Sequence, residues 1–533
     1  MKTQWRERIF YIWLLYSVLS PGGVSRAFEE SKIIPDDPFD GDQFGSSVDI
    51  SGDYLIVGAH EDDDMGERSG SAYIFKRQGG EWTQNAKLVA PDGTSGDQFG
   101  YSVSISGDYA LIGAFRDNED GNQAGSAYMF RLVGGTWTFV TKLKPVTPEM
   151  NSEFGNSVVT DGNYAVIGAH RSEHFGQMTG AVYVFERNGA TWVQDARLVE
   201  DDLIQSSFFG CDCAISGNEL VVGAHGYTAG ELGTGAVYVY RHDGVHWIRQ
   251  YKLSATDETQ NASFGRSVAI RVPWLLIGAS GADGQYPDCG AGYMFHLESG
   301  TWVAHSKLLP IDPQSGAGFG YSVDIDSGYA VIGAPFFGDS PDDLGRLDIF
   351  RLNGDVWTQH LALTASDETE GARFGVAATV QAEECLTGAL SASDGGIESG
   401  AAYLYGDIGT IPPTPTPSAF IYDLELYDTN LDDGDLFLLN RTYFNPGGAA
   451  AVDEYIILDI YGAYWFWPAW TPELDFTSWT IPAGGNGTEA ILQFEWPTVE
   501  GEVTGLKFWG AFLNAGTAEL IVYDMQEWGY SDK

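Results

Sequence analysis

A Phe-Gly pair recurs at one fixed interval through most of this chain, at Phe44, Phe99, Phe154, Phe209, Phe264, Phe319 and Phe374, each 55 residues after the last. A Gly-Ala pair keeps the same register, beginning at Gly58, Gly113, Gly168, Gly223, Gly278, Gly333 and Gly388. Neither spacing drifts, so insertions are absent and the copies must share one backbone geometry. A period of this size marks a repeat architecture, in which each unit buries its apolar face against its neighbours.

The second copy shows what the unit is. Phe99-Gly100 leads into an alternating stretch from Ser102 to Ser106, a Gly107-Asp108 turn, and an apolar run from Tyr109 to Ala114. A polar loop follows, then a run from Gly125 to Phe130, a Gly134-Gly135 turn, and a stretch from Trp137 to Lys142-Leu143. Short alternating runs rich in Val, Ile, Tyr and Phe and bounded by glycine turns read as strands. Four strands per unit, repeated seven times, predict an all-β chain with a seven-bladed β-propeller. The seventh unit runs from Phe374 to Tyr405 and then meets prolines where its fourth strand belongs. Counting back 55 residues from Lys87-Leu88 lands on Lys32-Ile33, so the N-terminal segment is expected to close blade seven and hide a sheet edge.

These pairs resemble the FG-GAP repeats of integrin-type β-propellers, in the bacterial variety with a short turn between the first two strands. The resemblance covers residues 28–407, although only Gly333-Ala334-Pro335 carries the full Gly-Ala-Pro triplet. It implies a propeller that mediates adhesion or recognition outside the cell. The integrin-type repeat places an Asp-rich calcium loop between its two motifs; here that interval holds only turns such as Ser51-Gly52-Asp53. The family's calcium sites therefore do not carry over.

Residues 1–27 read as a secretory signal: Lys2, Arg6 and Arg8 precede an apolar stretch from Ile9 to Ser20, and Ser25-Arg26-Ala27 supplies small residues for cleavage. No second apolar segment is long enough to span a bilayer, so a secreted or surface location without membrane insertion after signal removal is expected. The formal net charge of -46 repels nucleic acid and anionic lipid, which leaves a protein or glycan ligand as the expected partner. Cys211, Cys213, Cys289 and Cys385 show no spacing of a disulfide framework or zinc site.

Prolines between Ile411 and Pro417 mark a linker, placed at 408–418. Residues 419–533 again alternate like strands and predict a small antiparallel β-sandwich. Its aromatic cluster, Tyr461, Tyr464, Trp465, Phe466, Trp467 and Trp470, exceeds what one strand face buries, because successive side chains point opposite ways. Trp465, Trp467 and Trp470 are therefore candidate ligand contacts, with core packing as the alternative. Asp428, Asn430 and Asp432 begin like an EF-hand calcium loop, but the glycine arrives late and Leu439 stands where a bidentate Glu belongs. Calcium is the one cofactor this leaves open.

Strand directions alternate within a blade, so the loop between strands two and three and the loop into the next blade emerge on one face. That face gathers Glu61, Asp62, Asp63, Asp64, Asp117, Glu119 and Asp120 as candidate ligand-binding carboxylates. Function concentrates on loops held by a rigid scaffold. His60, His170 and His225 share one register after Gly-Ala, a pattern read as structural packing. No nucleophile elbow or metalloprotease motif is present. The sequence reads as a non-catalytic recognition or adhesion protein, with two alternatives: a carbohydrate-active lyase or hydrolase with an aromatic-rich accessory domain, and a surface-layer component.

Overall fold

The computed structural model describes residues 30–409, apart from 229–232, 256, 258–259, 285, 339–343, 368–370 and 394, together with the backbone strands between 421 and 530. The expected signal segment and residues 410–418 of the expected linker lie outside the described residues; Ile408, placed at the start of that linker, is buried with blade seven, its amide on the Glu383 carbonyl at 3.0 Å.

Seven four-stranded antiparallel sheets follow one another along the chain. In blade one the strands are Phe44–Ser51, Tyr54–Ala59, Ser71–Gln78 and Glu81–Leu88, paired in sequence order. Blades two to six repeat this order, ending at Leu143, Leu198, Leu253, Leu308 and Leu363. Blade seven takes Phe374–Gln381, Glu384–Ala389 and Ala401–Tyr405 from the C-terminal end of the ring and Glu30–Ile33 from its start. Glu30 pairs with Tyr405 and Ile33 with Ala402, in the register that the 55-residue count predicts.

Each Phe of the Phe-Gly pair is fully buried and meets the third strand edge-to-face: Phe44 lies 5.4 Å from Tyr73 and 6.1 Å from Phe75. The same pair of contacts recurs at Phe99, Phe154, Phe209, Phe264 and Phe374. Neighbouring blades are joined by a second aromatic contact, in which Tyr54, Tyr109 and Tyr164 pack edge-to-face on Trp137, Trp192 and Trp247 of the following blade. Such pairs add about 0.5–1.5 kcal/mol each beyond the area they bury.

The two glycines explain why the period tolerates no drift. A Cβ on Gly58 would run into the carbonyl oxygen of Gly100, and one on Gly113 into that of Gly155. The contact repeats around the ring and closes it, with Gly388 of blade seven against Gly45 of blade one. The Gly-Ala glycine of each blade thus abuts the Phe-Gly glycine of the next. Backbone touches backbone at each junction, so one residue more or less in any blade would break the register of two.

The chain divides after Ile411. In the C-terminal unit, Ile421–Leu426, Leu436–Phe444 and Asn486–Glu495 form a three-stranded sheet, and six further strands form a second. The side chains there lie outside the described residues, and with them the expected sandwich core.

Candidate functional site

Register fixes which face carries what. Phe44 pairs with Ala59, Ala59 with Ser71, and Ala72 with Leu88, so the Phe-Gly pair, the Gly-Ala pair and both long loops share one end of the blade. The other end has only tight turns, such as Gly52-Asp53 and Gly79-Gly80. At the long-loop end the seven innermost strands surround an axial cavity of about 560 Å³.

The four-residue stretch that opens each blade builds this cavity. The residue three places after the phenylalanine braces the ring: the side chains of Ser47, Ser102, Asp212 and Ser267 accept the backbone N–H of Val103, Val158, Val268 and Val323 in the following blade, at 2.8–3.2 Å. Innermost strands have an unpaired edge, and these bonds satisfy it. Asp212 also accepts the Cys213 amide at 2.9 Å; burial nevertheless pushes its carboxyl up to about 6.

The residue between, two places after the phenylalanine, behaves differently. In order round the ring it is Ser46, Tyr101, Asn156, Cys211, Arg266, Tyr321 and Val376, and all seven line the cavity. The frame repeats, and this lining position does not; the residue after Gly-Ala varies with it, as His60, Phe115, His170, His225, Ser280, Pro335 and Leu390, of which the three histidines and Leu390 also line the cavity.

A collar of rings and guanidinium groups surrounds the mouth. His60 packs on Tyr101 (5.3 Å), which packs on Phe115 (4.2 Å). Phe208 lies between His170 (5.6 Å) and His225 (5.1 Å). Tyr321 meets Phe336 at 5.7 Å. Arg116, Arg266 and Arg373 lie over Phe115, Tyr321 and Phe336. Burial, reinforced by Arg116 and Arg68, lowers His60 to about 4, and burial with Arg266 and His170 lowers His225 to about 3. Both imidazoles are neutral at physiological pH. The register of His60, His170 and His225 thus brings all three to the axial cavity, and no group of metal-ligating side chains is found among the described residues.

Of the predicted carboxylates, Asp62 and Asp117 are buried rather than presented to a ligand. Each sits in a cage around a lysine of the fourth strand. Lys142 Nζ reaches Asp92 (2.8 Å), Asp117 (2.7 Å) and Glu119 (2.7 Å), and Tyr128 donates its hydroxyl to Asp117 at 3.0 Å. Lys87 makes the same contacts to Asp37, Asp62 and Asp64, with Tyr73 donating to Asp62 at 2.8 Å. Arg197 with Glu149, Lys252 with Asp202 and Lys307 with Asp257 repeat the cation in blades three, four and five, and Lys32 with Asp367 supplies it to blade seven from the N-terminal strand. Glu61 pairs with Arg68 at 2.8 Å, Asp120 with Lys144 at 2.8 Å, and Asp63 caps the Arg68 amide at 2.7 Å. Trp465, Trp467, Trp470, Asp428, Asn430 and Asp432 have side chains outside the described residues. The cages were foreshadowed by Tyr and Lys recurring at the 55-residue period.

The molecule is a seven-bladed propeller of repeated units, closed by its own N-terminal strand and open at one end into a variable axial mouth. The chain belongs to the FG-GAP repeat family, whose model matches residues 28–75, 82–130, 137–185, 192–240, 247–295, 302–347 and 357–405. No curated protein matches the sequence. Among solved structures it is similar to the β-propeller domain of the trilobed protease from Pyrococcus furiosus, at 9% identity and a TM-score of 0.36 over 64% of this chain and 90% of that one. The acylaminoacyl peptidase of Pyrococcus horikoshii matches at 10% identity and a TM-score of 0.36, over 78% of this chain and 61% of that one. The exo-β-1,3-galactanase of Phanerochaete chrysosporium matches at 9% identity and a TM-score of 0.27, over 70% and 94%.

Proposed function

We propose that this is a secreted or cell-surface recognition protein, without catalysis of its own, that binds a protein or glycan ligand on the long-loop face of the propeller. One observation carries the reading. Within a frame that repeats seven times, the residue two places after each phenylalanine changes from blade to blade, and every copy of it lines the axial cavity. Packing alone would favour one solution repeated, as it does at the phenylalanines and glycines. Variation at a concave lining is what a ligand surface on a rigid scaffold requires.

The carboxylate cages support the same face by holding its loops. They also tie up much of the acidity of the long-loop crown, so the exposed Asp63, Asp64, Glu119 and Asp120 frame the mouth rather than form it. Location outside the cell rests on the signal-like N-terminus and on a charge that disfavours nucleic acid.

The test is an array of glycans and extracellular proteins probed with the full mature chain, with product release measured on every retained ligand. Retention without turnover is expected. Reproducible product release would overturn the non-catalytic reading in favour of a carbohydrate-active enzyme, and absence of any retention would overturn recognition.

A further inference from the structure

We propose that the axial mouth is a subsite for the carboxylate of a ring-bearing ligand, a terminal acidic sugar residue, with Arg266 as its anchor. This deepens the recognition reading and rests on it.

Arg266 is the only cation at the variable lining position. Its guanidinium lies 4.4 Å from the centre of the Tyr321 ring, and it forms no ion pair among the described residues. That is a costly arrangement in a chain with 74 acidic and 28 basic residues, where carboxylates to neutralise a half-buried arginine are plentiful. The acids of the collar and the lining are otherwise engaged. Glu153 binds Arg171 at 2.8 Å and His170 at 3.0 Å, Glu61 binds Arg68, and Asp212 faces the amides of Val268 and Cys213. Cys211, next round the ring, donates its thiol to the Gly265 carbonyl at 3.3 Å and supplies no thiolate. An arginine that has the Tyr321 ring and hydroxyl beside it but no carboxylate is matched by a planar anion, which its fork binds through paired hydrogen bonds.

The rest of the mouth fits a sugar ring. Tyr101 is 39% exposed and, with Tyr321 and Phe208, turns aromatic surface to the cavity. Ser46 and Asn156 also line the cavity; the Ser46 hydroxyl donates to the Gly58 carbonyl at 3.3 Å, and the Asn156 side chain donates to the Cys211 carbonyl and accepts the His170 amide, both at 3.2 Å, which leaves the Ser46 oxygen and one Asn156 N–H to meet sugar hydroxyls. The volume of about 560 Å³ suits a ligand of one or two rings. The net charge of -46 opposes a polyanion and tolerates a single charge brought to a local cation.

Glucuronate is the probe, titrated into the full chain by calorimetry, with glucose as its uncharged counterpart and acetate and inorganic phosphate as bare anions. Glucuronate should saturate the protein, glucose should bind at least about tenfold more weakly, and R266Q should lose about tenfold or more of the glucuronate affinity. R266K should recover part of that loss. Should R266Q fail to fold, phenylglyoxal modification of the wild-type protein provides the second reading: glucuronate, and not glucose, should protect Arg266. Equal affinity for glucuronate and glucose, unchanged binding in folded R266Q, or no protection of Arg266 would overturn the proposal. Phosphate or acetate binding as tightly as glucuronate would also overturn it, by revealing a general anion site. No glucuronate binding by the wild-type chain while array ligands are still retained would refute this subsite alone and leave the recognition reading standing.

Discussion

Replacing Lys142 by Met keeps the aliphatic stem of the cage and removes its charge. The side chain of Lys142 is 14% exposed and that of Asp117 is 6% exposed. Three carboxylates lose their shared cation, and Asp117 is left buried beside the Tyr128 hydroxyl and the Glu119 amide. Breaking a buried ion pair from one side costs about 3–5 kcal/mol. Asp92 and Glu119 are half exposed, and water compensates them, which reduces the expected loss to about 2–3 kcal/mol. Unfolding entropy for a propeller of this size is roughly 0.8 kcal/mol/K, so the melting temperature at pH 7 should fall by about 3–4 °C. The loss should also depend on pH. Burial alone would raise the Asp117 carboxyl, but hydrogen bonds from Lys142 and the Glu119 amide outweigh it and hold the group below its ordinary value. A depressed carboxylate contributes stability above its unfolded pKa of about 3.9 and loses it as pH falls through the folded value. The gap between wild type and K142M should therefore be full at pH 7 and shrink below about pH 4. Scanning calorimetry across that range, with D117N/K142M as the neutral double variant, measures it. Equal melting at pH 7, or a gap that stays undiminished in acid, would refute the cage as a source of stability.

Three further outcomes follow from the ring. Deleting residues 28–34 removes the strand Glu30–Ile33 and the Lys32–Asp367 bond of blade seven; protease resistance and melting temperature should both fall clearly, and unchanged values would mean that the ring closes otherwise. Gly113→Ala puts a methyl against the Gly155 carbonyl and should cost several kcal/mol, on the order of an overpacked core or more; G52N, at an open turn with φ of 62°, should melt within a degree or two of wild type. Chelator should leave the propeller's melting temperature unchanged, because lysine ammonium groups neutralise the clustered carboxylates; a metal bound at a hundred times its Kd would add about 2.7 kcal/mol, and a calcium-reversible drop of that size would show the turns to be misread.

The frame was legible in the sequence because it is backbone-driven. Phe-Gly and Gly-Ala mark where a ring must be buried and where backbones touch, and neither function tolerates a second residue type. The closing strand was legible for the same reason, since Lys32-Ile33 sits in the register of the Lys87-Leu88 pair. The site was less so. Counting acidic residues pointed to Asp62 and Asp117, but a carboxylate in a loop looks alike whether it faces water or a lysine 25 residues downstream. Arg266 and Tyr321 were hidden by the opposite effect: a search for repetition passes over positions where repetition fails. Once the strands are seen to stand around an axis, that failure becomes the signal.

Masking each face of the propeller in turn shows whether ligands are held on the long-loop face. Asp120→Cys places a thiol on the loop face and Asp108→Cys one at a tight turn on the opposite face, and both positions are exposed. Three of the four native cysteines are buried, and burial pushes the thiol of the half-buried fourth, Cys211, up to about 12, so a bulky maleimide polymer at neutral pH is directed to the introduced cysteine. Retention on the array ligands should be lost when the polymer is attached at position 120 and kept when it is attached at position 108. Retention lost only with the polymer at position 108 would place the ligand on the turn face and rule out binding on the long-loop face.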